Sequence, residues 1–497
     1  MNLRHLSVRS AIAAAVFSVV VCGSESAADA PDRELLDVLL ENESISQEQY
    51  DRLKPKEEPN PDPEEEATSK GTDPEDASDP VASKTLEETI NAILEEQLPV
   101  KASYTNKGFR FETRDGNWQM NLQWRFQFRF TYPYQGDPRQ LDTFADDDTA
   151  TFQARRLRMK IGGHGYRPWL KYYFEVDLQP LRDADDSSAT SSARVIDWRV
   201  DLAKWEPIGL RVGQWKIDYN RERVDSSGRQ QFVERSIVNR IFTIDRQIGV
   251  QLRGRLFKGT PADMRYYAGV FNGQGRGVNN DDTDMMYVGR LQWNFMGRDL
   301  KLRQTDVERT AKPTGTLSFG ASHVKGRCTR WSSSGCGNLD GFTSPSAAND
   351  GQFKVDQLQQ GFAFKYQGLS IQQEFHYKRV EDRENDLRSH LYGVYAQTGY
   401  FFHELCEKIP EPLELAFRYA YLREPNRDAI AGDAGLGRAP NDGVYNDRQE
   451  FTAAANWFFA GHNNKITVDY SYLTLDDDFF DKTKDDHRFR LQWDVSF

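Results

Sequence analysis

The most constraining stretch of this sequence is WQMNLQWRFQFRF at residues 118–130, where apolar and polar side chains alternate without a break. Seven large apolar side chains fall on one face of an extended strand, and glutamine, asparagine and arginine fall on the other. Soluble strands average roughly 5 to 6 residues, whereas membrane strands need about 9 to 11, apolar toward lipid and polar toward a lumen. The stretch therefore favours a membrane-spanning strand over a strand of a sandwich or soluble barrel.

The start of the chain has the pattern of a secretory signal. Arg4, His5 and Arg9 precede an apolar run at residues 11–21, and small residues follow at 26–28. We expect cleavage after Ala28, which gives a signal peptide over residues 1–28 and an exported protein. The mean hydropathy of -0.74 leaves no further run apolar enough for a helical membrane span.

Export places the remaining cysteines, Cys328, Cys336 and Cys406, in a compartment where disulfides persist. Cys328 and Cys336 flank a short segment that a disulfide would close into a small ring. We predict this disulfide, with two free thiols as the alternative, and assign no chemistry to Cys406.

Residues 29–98 form an acidic arm that carries 22 acidic and 6 basic residues, although the whole chain has a net charge of only -12. Within the arm we predict a short helical segment at 29–54, an acidic, proline-rich and disordered linker at 55–84, and a second short helix at 85–98. The linker has too little apolar surface to offset its ordering entropy. A capping box at Thr85 and Glu88 begins the second helix, which suits a docking helix or a small coiled coil.

Residues 108–497 read as sixteen strand-like segments joined by connections that alternate between long and short. Short turns such as 206–207, 258–262 and 367–368 should face the periplasm and long loops the outside. The connection at 297–315 is longer than this pattern predicts. The fold class is therefore all-β: a sixteen-stranded antiparallel transmembrane β-barrel with an inward-folded third loop, preceded by the helical and disordered arm.

Strand parity directs several cations toward the lumen, where they would attract anions. The predicted pore-lining residues are Arg125, Arg129, Arg156, Arg158, Lys160, Arg253, Arg255, Arg488 and Arg490. The alternative is a lumen neutralised by acidic residues that also point inward. These are Glu175, Asp177, Asp197, Asp201 and Asp494.

The third long connection, at residues 218–246, combines arginines with many apolar residues. Apolar side chains would anchor this loop against the inner wall and narrow the pore, whereas an outer loop would use them to pack on neighbouring loops or another subunit. We predict that Arg221, Arg223, Arg229 and Arg235 line the resulting constriction.

Three stretches carry a specific resemblance: RRLRMKIGGHGYRPWLKYYFEVDL at 155–178, GLRVGQWKIDYNRERVDSSGRQQFVERSIVNR at 209–240, and NWFFAGHNNKITVDYSYL at 456–473. The chain resembles the phosphate-selective porin O and P family. The resemblance implies an outer-membrane homotrimer in contact with lipid that passes small anions such as phosphate or polyphosphate by diffusion. An even number of strands puts both ends of the barrel on the side of the short turns, so we expect the arm in the periplasm. Arginines and third-loop lysines select the anion in that family, yet residues 218–246 contain no lysine.

Enzyme motifs are incomplete. HELCE at 403–407 lacks the second histidine of a zinc helix, and GQGRG at 273–277 lies between strands with no helix after it. We expect no catalytic residue, metal, cofactor or nucleic-acid partner. The rival hypotheses are a poorly conducting outer-membrane protein whose arm tethers the envelope, and a secreted all-β binding protein.

Overall fold

Alternating apolar and polar residues give the chain long antiparallel strands, which a computed structural model describes over residues 100–133, 149–178, 193–280, 282–333, 335–432 and 440–497. These residues belong to a compact unit that extends from Pro99 to Phe497. The predicted signal peptide, linker and short helical segments fall within residues 1–98, outside the described residues, and stay predictions.

The strands are β1 (Val100–Thr105), β2 (Gly108–Thr113), β3 (Gln119–Tyr132), β4 (Thr151–Gly165), β5 (Arg167–Asp177), β6 (Arg194–Leu202), β7 (Gly209–Lys216), β8 (Arg246–Leu256), β9 (Met264–Phe271), β10 (Met286–Trp293), β11 (Thr314–Gly326), β12 (Arg330–Ser332), β13 (Gly335–Gly337), β14 (Phe353–Tyr366), β15 (Leu369–Asp382), β16 (Leu387–Tyr400), β17 (Leu413–Pro425), β18 (Tyr445–Phe458), β19 (Asn464–Asp477) and β20 (Lys482–Ser496). Short helices follow in α1 (Arg221–Val224), α2 (Ile237–Phe242) and α3 (Arg427–Ala431). Among the described residues, no helix is both long and apolar enough to cross a membrane.

Strands β3–β11 and β14–β20 form a closed sixteen-stranded barrel, because the last strand returns to pair with the first. The seam between β20 and β3 runs from Phe489 opposite Tyr132 to Ser496 opposite Arg125. Each of the sixteen predicted segments corresponds to one of these strands, so the predicted fold class is confirmed for the barrel.

Side-chain exposure follows the predicted parity. On β3, Arg125 and Arg129 are 3% and 4% exposed, whereas Phe128 between them is 41% exposed. Trp493 on β20 is likewise 46% exposed on the outer surface. The exterior is apolar and aromatic and the interior is polar, which is the pattern of a barrel surrounded by lipid.

A short hairpin of β1 and β2 extends the wall at the seam, and the sequence did not predict it. β2 pairs with the first part of β3, Phe109 lying opposite Leu122, just beyond the point where the C-terminal Phe497 bonds to Trp124. Gly108 begins β2 with φ +84, and a Cβ there would lie 2.2 Å from the carbonyl oxygen of Leu122. This position therefore requires glycine.

The barrel has a loop end, where β7 is joined to β8, and a turn end, where β4 is joined to β5 and β10 to β11. The three longest connections are loop 3 (residues 217–245), loop 5 (residues 327–352) and the long turn (residues 294–313) between β10 and β11. Their buried apolar side chains pack inside the barrel, among them Tyr219, Phe242 and Trp331.

Candidate functional site

Loop 3 lies against the inner wall formed by β14–β20, as predicted. Gln231 joins it to several strands at once: its side-chain amide donates to Ser370 at 2.7 Å and to Glu414 at 2.9 Å. The backbone amide of Val233 donates to Asp469 at 2.8 Å. These polar anchors are buried and come from separate strands, so they hold the loop in one position.

Glycines on β16 make room for the loop. A Cβ on Gly399 would lie 2.0 Å from the side-chain nitrogen of Gln231, and a Cβ on Gly393 would lie 2.8 Å from Phe242. Phe242 and Val238 belong to α2 and are fully buried. The apolar residues that predicted an inward loop therefore pack directly on the wall.

Loop 5 also folds into the barrel, which the sequence did not indicate. Its Cys328 and Cys336 form the predicted disulfide beside the β12–β13 ribbon. Trp331 of this ribbon is fully buried and donates its indole N–H to the carbonyl of Gly273 at 2.6 Å. Lys378 joins the two loops, because its ammonium group donates to the carbonyls of Ile241 and Thr329.

Most of the predicted pore-lining cations point into the barrel but are bound to carboxylates. Arg125 lies 3.1 Å from Asp494, and Arg158 lies 2.8 Å from Glu175 and 3.3 Å from Asp177. The others in ion pairs are Arg129 with Glu234, Arg253 with Asp218, Arg255 with Asp263, Arg488 with Asp486 and Arg490 with Asp469. Carboxylates therefore neutralise seven of the nine predicted cations, which is the alternative that the sequence left open.

Within the described residues, two of the nine bind only neutral groups. Arg156 donates to the side-chain oxygen of Gln127 at 2.8 Å, and Lys160 donates to that of Gln123 at 3.2 Å. Their charges are not cancelled by a bonded carboxylate, so they contribute a positive potential to the lumen.

Of the four predicted loop 3 arginines, three bind protein groups and anchor the loop. Arg221 faces β15 rather than the basic wall, since it donates to Gln372 and to the carbonyl of Lys301. Arg223 pairs with Asp245, and Arg235 donates to two loop 3 carbonyls. Arg229 is exposed, and within the described residues its guanidinium makes neither a hydrogen bond nor an ion pair.

The structure adds cations that parity missed. The register between β3 and β4 shifts by one residue, which leaves Arg155 without a partner on β3 and turns its side chain inward to Glu234 at 3.1 Å. Lys216 at the end of β7 and Arg276 in the loop between β9 and β10 are half-buried and have no ion-pair partner within the described part of the chain. Lys216 has the parity of Val212, which is exposed on the outer surface, so parity did not indicate it, and a bulge has no local sequence signal.

A closed barrel with an aromatic exterior, a polar interior and an inward-folded loop defines a porin of an outer membrane. The chain belongs to the phosphate-selective porin O and P family, which matches residues 116–497. No curated protein matches the sequence.

Solved structures of outer-membrane proteins are similar to this chain at low identity. OmpT of Vibrio cholerae without its loop L8 is 11% identical over 76% of this chain and 99% of that one, with a TM-score of 0.48. The channel DcaP of Acinetobacter baumannii is 13% identical over 78% and 99%, with a TM-score of 0.48. An anion-selective porin from Comamonas acidovorans is 9% identical over 76% and 99%, with a TM-score of 0.45.

Proposed function

We propose that this porin passes small anions through the part of the lumen that loop 3 and loop 5 leave open. Loop 3 packs on β14–β20 and also reaches β3 through Ser227 and Glu234. Loop 5 contacts Lys378 of β15 and Gly273 between β9 and β10. We place the open part between these contacts, beside the walls of β4–β7. The observation that carries the proposal is a set of cations on this side to which, among the described residues, no carboxylate is bonded: Arg156, Lys160, Lys216 and Arg229.

Lys160 and Arg229 lie within electrostatic range of each other, with Glu175 as the opposing charge on Lys160. Low-dielectric walls weaken screening, so unpaired cations in such a passage concentrate anions and repel cations. Weak, repeated contacts also let the ion leave, which conduction requires.

We further propose that the anion is phosphate or polyphosphate, because guanidinium and ammonium donors match phosphate oxygens. Loop 3 contains no lysine, so the lysines here come from the wall, as Lys160 and Lys216. The acidic arm would extend into the periplasm, because an even number of strands puts both ends of the barrel on the side of the short turns. The chain would form a homotrimer, as family membership suggests.

Bilayer recording of the purified protein tests the proposal. Under a potassium chloride gradient the reversal potential should have the sign of an anion-preferring channel, and the same should hold in potassium phosphate. A cation-directed potential would refute anion preference, and the absence of any conductance would favour the envelope-tethering alternative.

A further inference from the structure

The long turn crosses the turn end of the barrel and is fixed to three other turns. The amide of Gly368 donates to Asp306 at 2.9 Å, and Thr305 contacts His462 at 3.0 Å. Arg309 pairs with Glu404 at 2.7 Å. The segment therefore forms an ordered floor below loop 3 rather than a loose surface connection.

This floor is joined directly to loop 3. The backbone amide of Gln304 donates to the carbonyl of Arg229 at 3.2 Å, and its side-chain oxygen accepts from the amide of Gln231 at 2.8 Å. Gln304 is only 3% exposed. These two hydrogen bonds place Arg303 of the long turn next to Arg229 of loop 3.

The junction has more positive than negative charge available. Arg303 and Lys301 share a single carboxylate, Glu308, whose side chain is 48% exposed. A hydrogen bond from Lys301 lowers the pKa of the Glu308 carboxyl, so this group is charged at neutral pH. Arg229 has no carboxylate bonded to it among the described residues.

A cavity of about 240 Å³ adjoins the junction and is lined by Lys301, Arg303 and Lys365. The other acidic side chains that line it already have partners. Asp299 pairs with Arg265 at 2.5 Å, and Asp306 accepts from Gly368 and Thr310. Glu308 is thus the carboxylate that pairs with Lys301 and Arg303, while Asp306 opposes Lys365 and Asp225 opposes Arg229.

We propose that Arg229 and Arg303 form an anion site at the turn end, in which a tetrahedral oxyanion replaces Glu308 on Arg303 and bridges the two guanidinium groups. Forked guanidinium donors match such oxygens, and a partly exposed ion pair such as Arg303 with Glu308 is weak enough to exchange. This site rests on the proposed function. An anion that has crossed the passage would bind here last, before its release at the turn end.

Inhibition of chloride current by inorganic phosphate, added to one side of a bilayer at a time, tests the site in the full-length protein. Arg303→Gln and Arg229→Gln should each raise the half-inhibiting phosphate concentration by roughly three- to tenfold. The double variant should exceed either single variant only slightly, because both groups hold one ion. Arg298→Gln is the matched control, since Arg298 is exposed in the same segment and bonds to Pro313 and Thr314.

Glu308→Gln removes a negative charge at an exposed position, so its effect should be opposite to that of the arginine variants: it should lower the half-inhibiting phosphate concentration. The proposal is overturned if Arg303→Gln and Glu308→Gln both leave phosphate inhibition unchanged while the wild type is anion-selective in chloride. A cation-selective wild type would instead refute the proposed function itself.

Discussion

The guanidinium of Arg129 on the first barrel strand donates to the carboxylate of Glu234 in loop 3 at 2.6 Å. A second arginine, Arg155, binds the same carboxylate at 3.1 Å from the bulge of the next strand. One loop 3 carboxylate therefore ties the loop to two strands beyond the β14–β20 wall, and it cancels charge that would otherwise face the passage.

Glu234→Gln should make the channel more anion-selective. Removal of the carboxylate leaves Arg129 and Arg155 charged in the lumen, and the anion-to-cation permeability ratio should rise about twofold. The lost charged hydrogen bonds should cost about 1 to 3 kcal/mol of stability. Reversal potentials and denaturant midpoints measure the two effects, and an unchanged permeability ratio in a folded channel would contradict the first.

Lys160→Gln should change ion selectivity, whereas Arg158→Gln should lower the stability of the fold. Lys160 bonds only to a neutral amide, so its replacement should reduce anion preference and leave stability within about 1 kcal/mol. Arg158 is buried against Glu175 and Asp177, and its loss should cost about 3 to 5 kcal/mol because it removes the cation that neutralises two buried carboxylates. Denaturant midpoints that shift equally in both variants would contradict this distinction.

The same reasoning applies to simultaneous replacement of Arg125, Arg129, Arg156 and Arg158 by glutamate. Three of these four arginines already bind carboxylates. Glutamates there would face other carboxylates in a buried setting, so we expect the barrel to fail to fold rather than simply reverse its selectivity.

The sequence predicts the barrel well because strand parity is a local, repeated property that lipid and lumen enforce along every strand. The inward position of loop 3 also follows from its own apolar residues, such as Phe232 and Phe242. The ion-pair partner of a charged residue, by contrast, is not a local property of the sequence. The pairing of Arg125 with Asp494 joins residues 369 positions apart, and only the closed seam brings them together. Strand parity does not predict the inward position of Arg155, because a bulge turns this side chain toward the lumen. The role of the long turn could not be predicted either, because it depends on the contact of this segment with loop 3.

Thiol labelling of the unreduced, denatured mature protein should detect Cys406 alone. Cys328 and Cys336 are bonded to each other, whereas Cys406 is free and exposed. After reduction, three thiols should react. Labelling of all three without reductant would contradict the disulfide, and a Cys406→Ser variant provides the control because it should remain unlabelled until reduced.

Gly399→Ala should loosen loop 3 from the wall. The new methyl group would lie 2.0 Å from the side-chain nitrogen of Gln231 and 2.6 Å from a carboxylate oxygen of Glu414, so it would separate these two groups. Overpacking of this kind costs about 1 to 3 kcal/mol, and release of the Gln231 anchor should add current noise or change single-channel conductance.

Gly289→Ala is the matched control for this change, because no atom lies within 4 Å of a Cβ built at Gly289. Both glycines belong to barrel strands, so a general effect of alanine on strand formation would appear in both variants. We expect altered conductance and a lower denaturant midpoint for Gly399→Ala alone. Equal behaviour of the two variants would show that Gln231 does not hold loop 3 against β16.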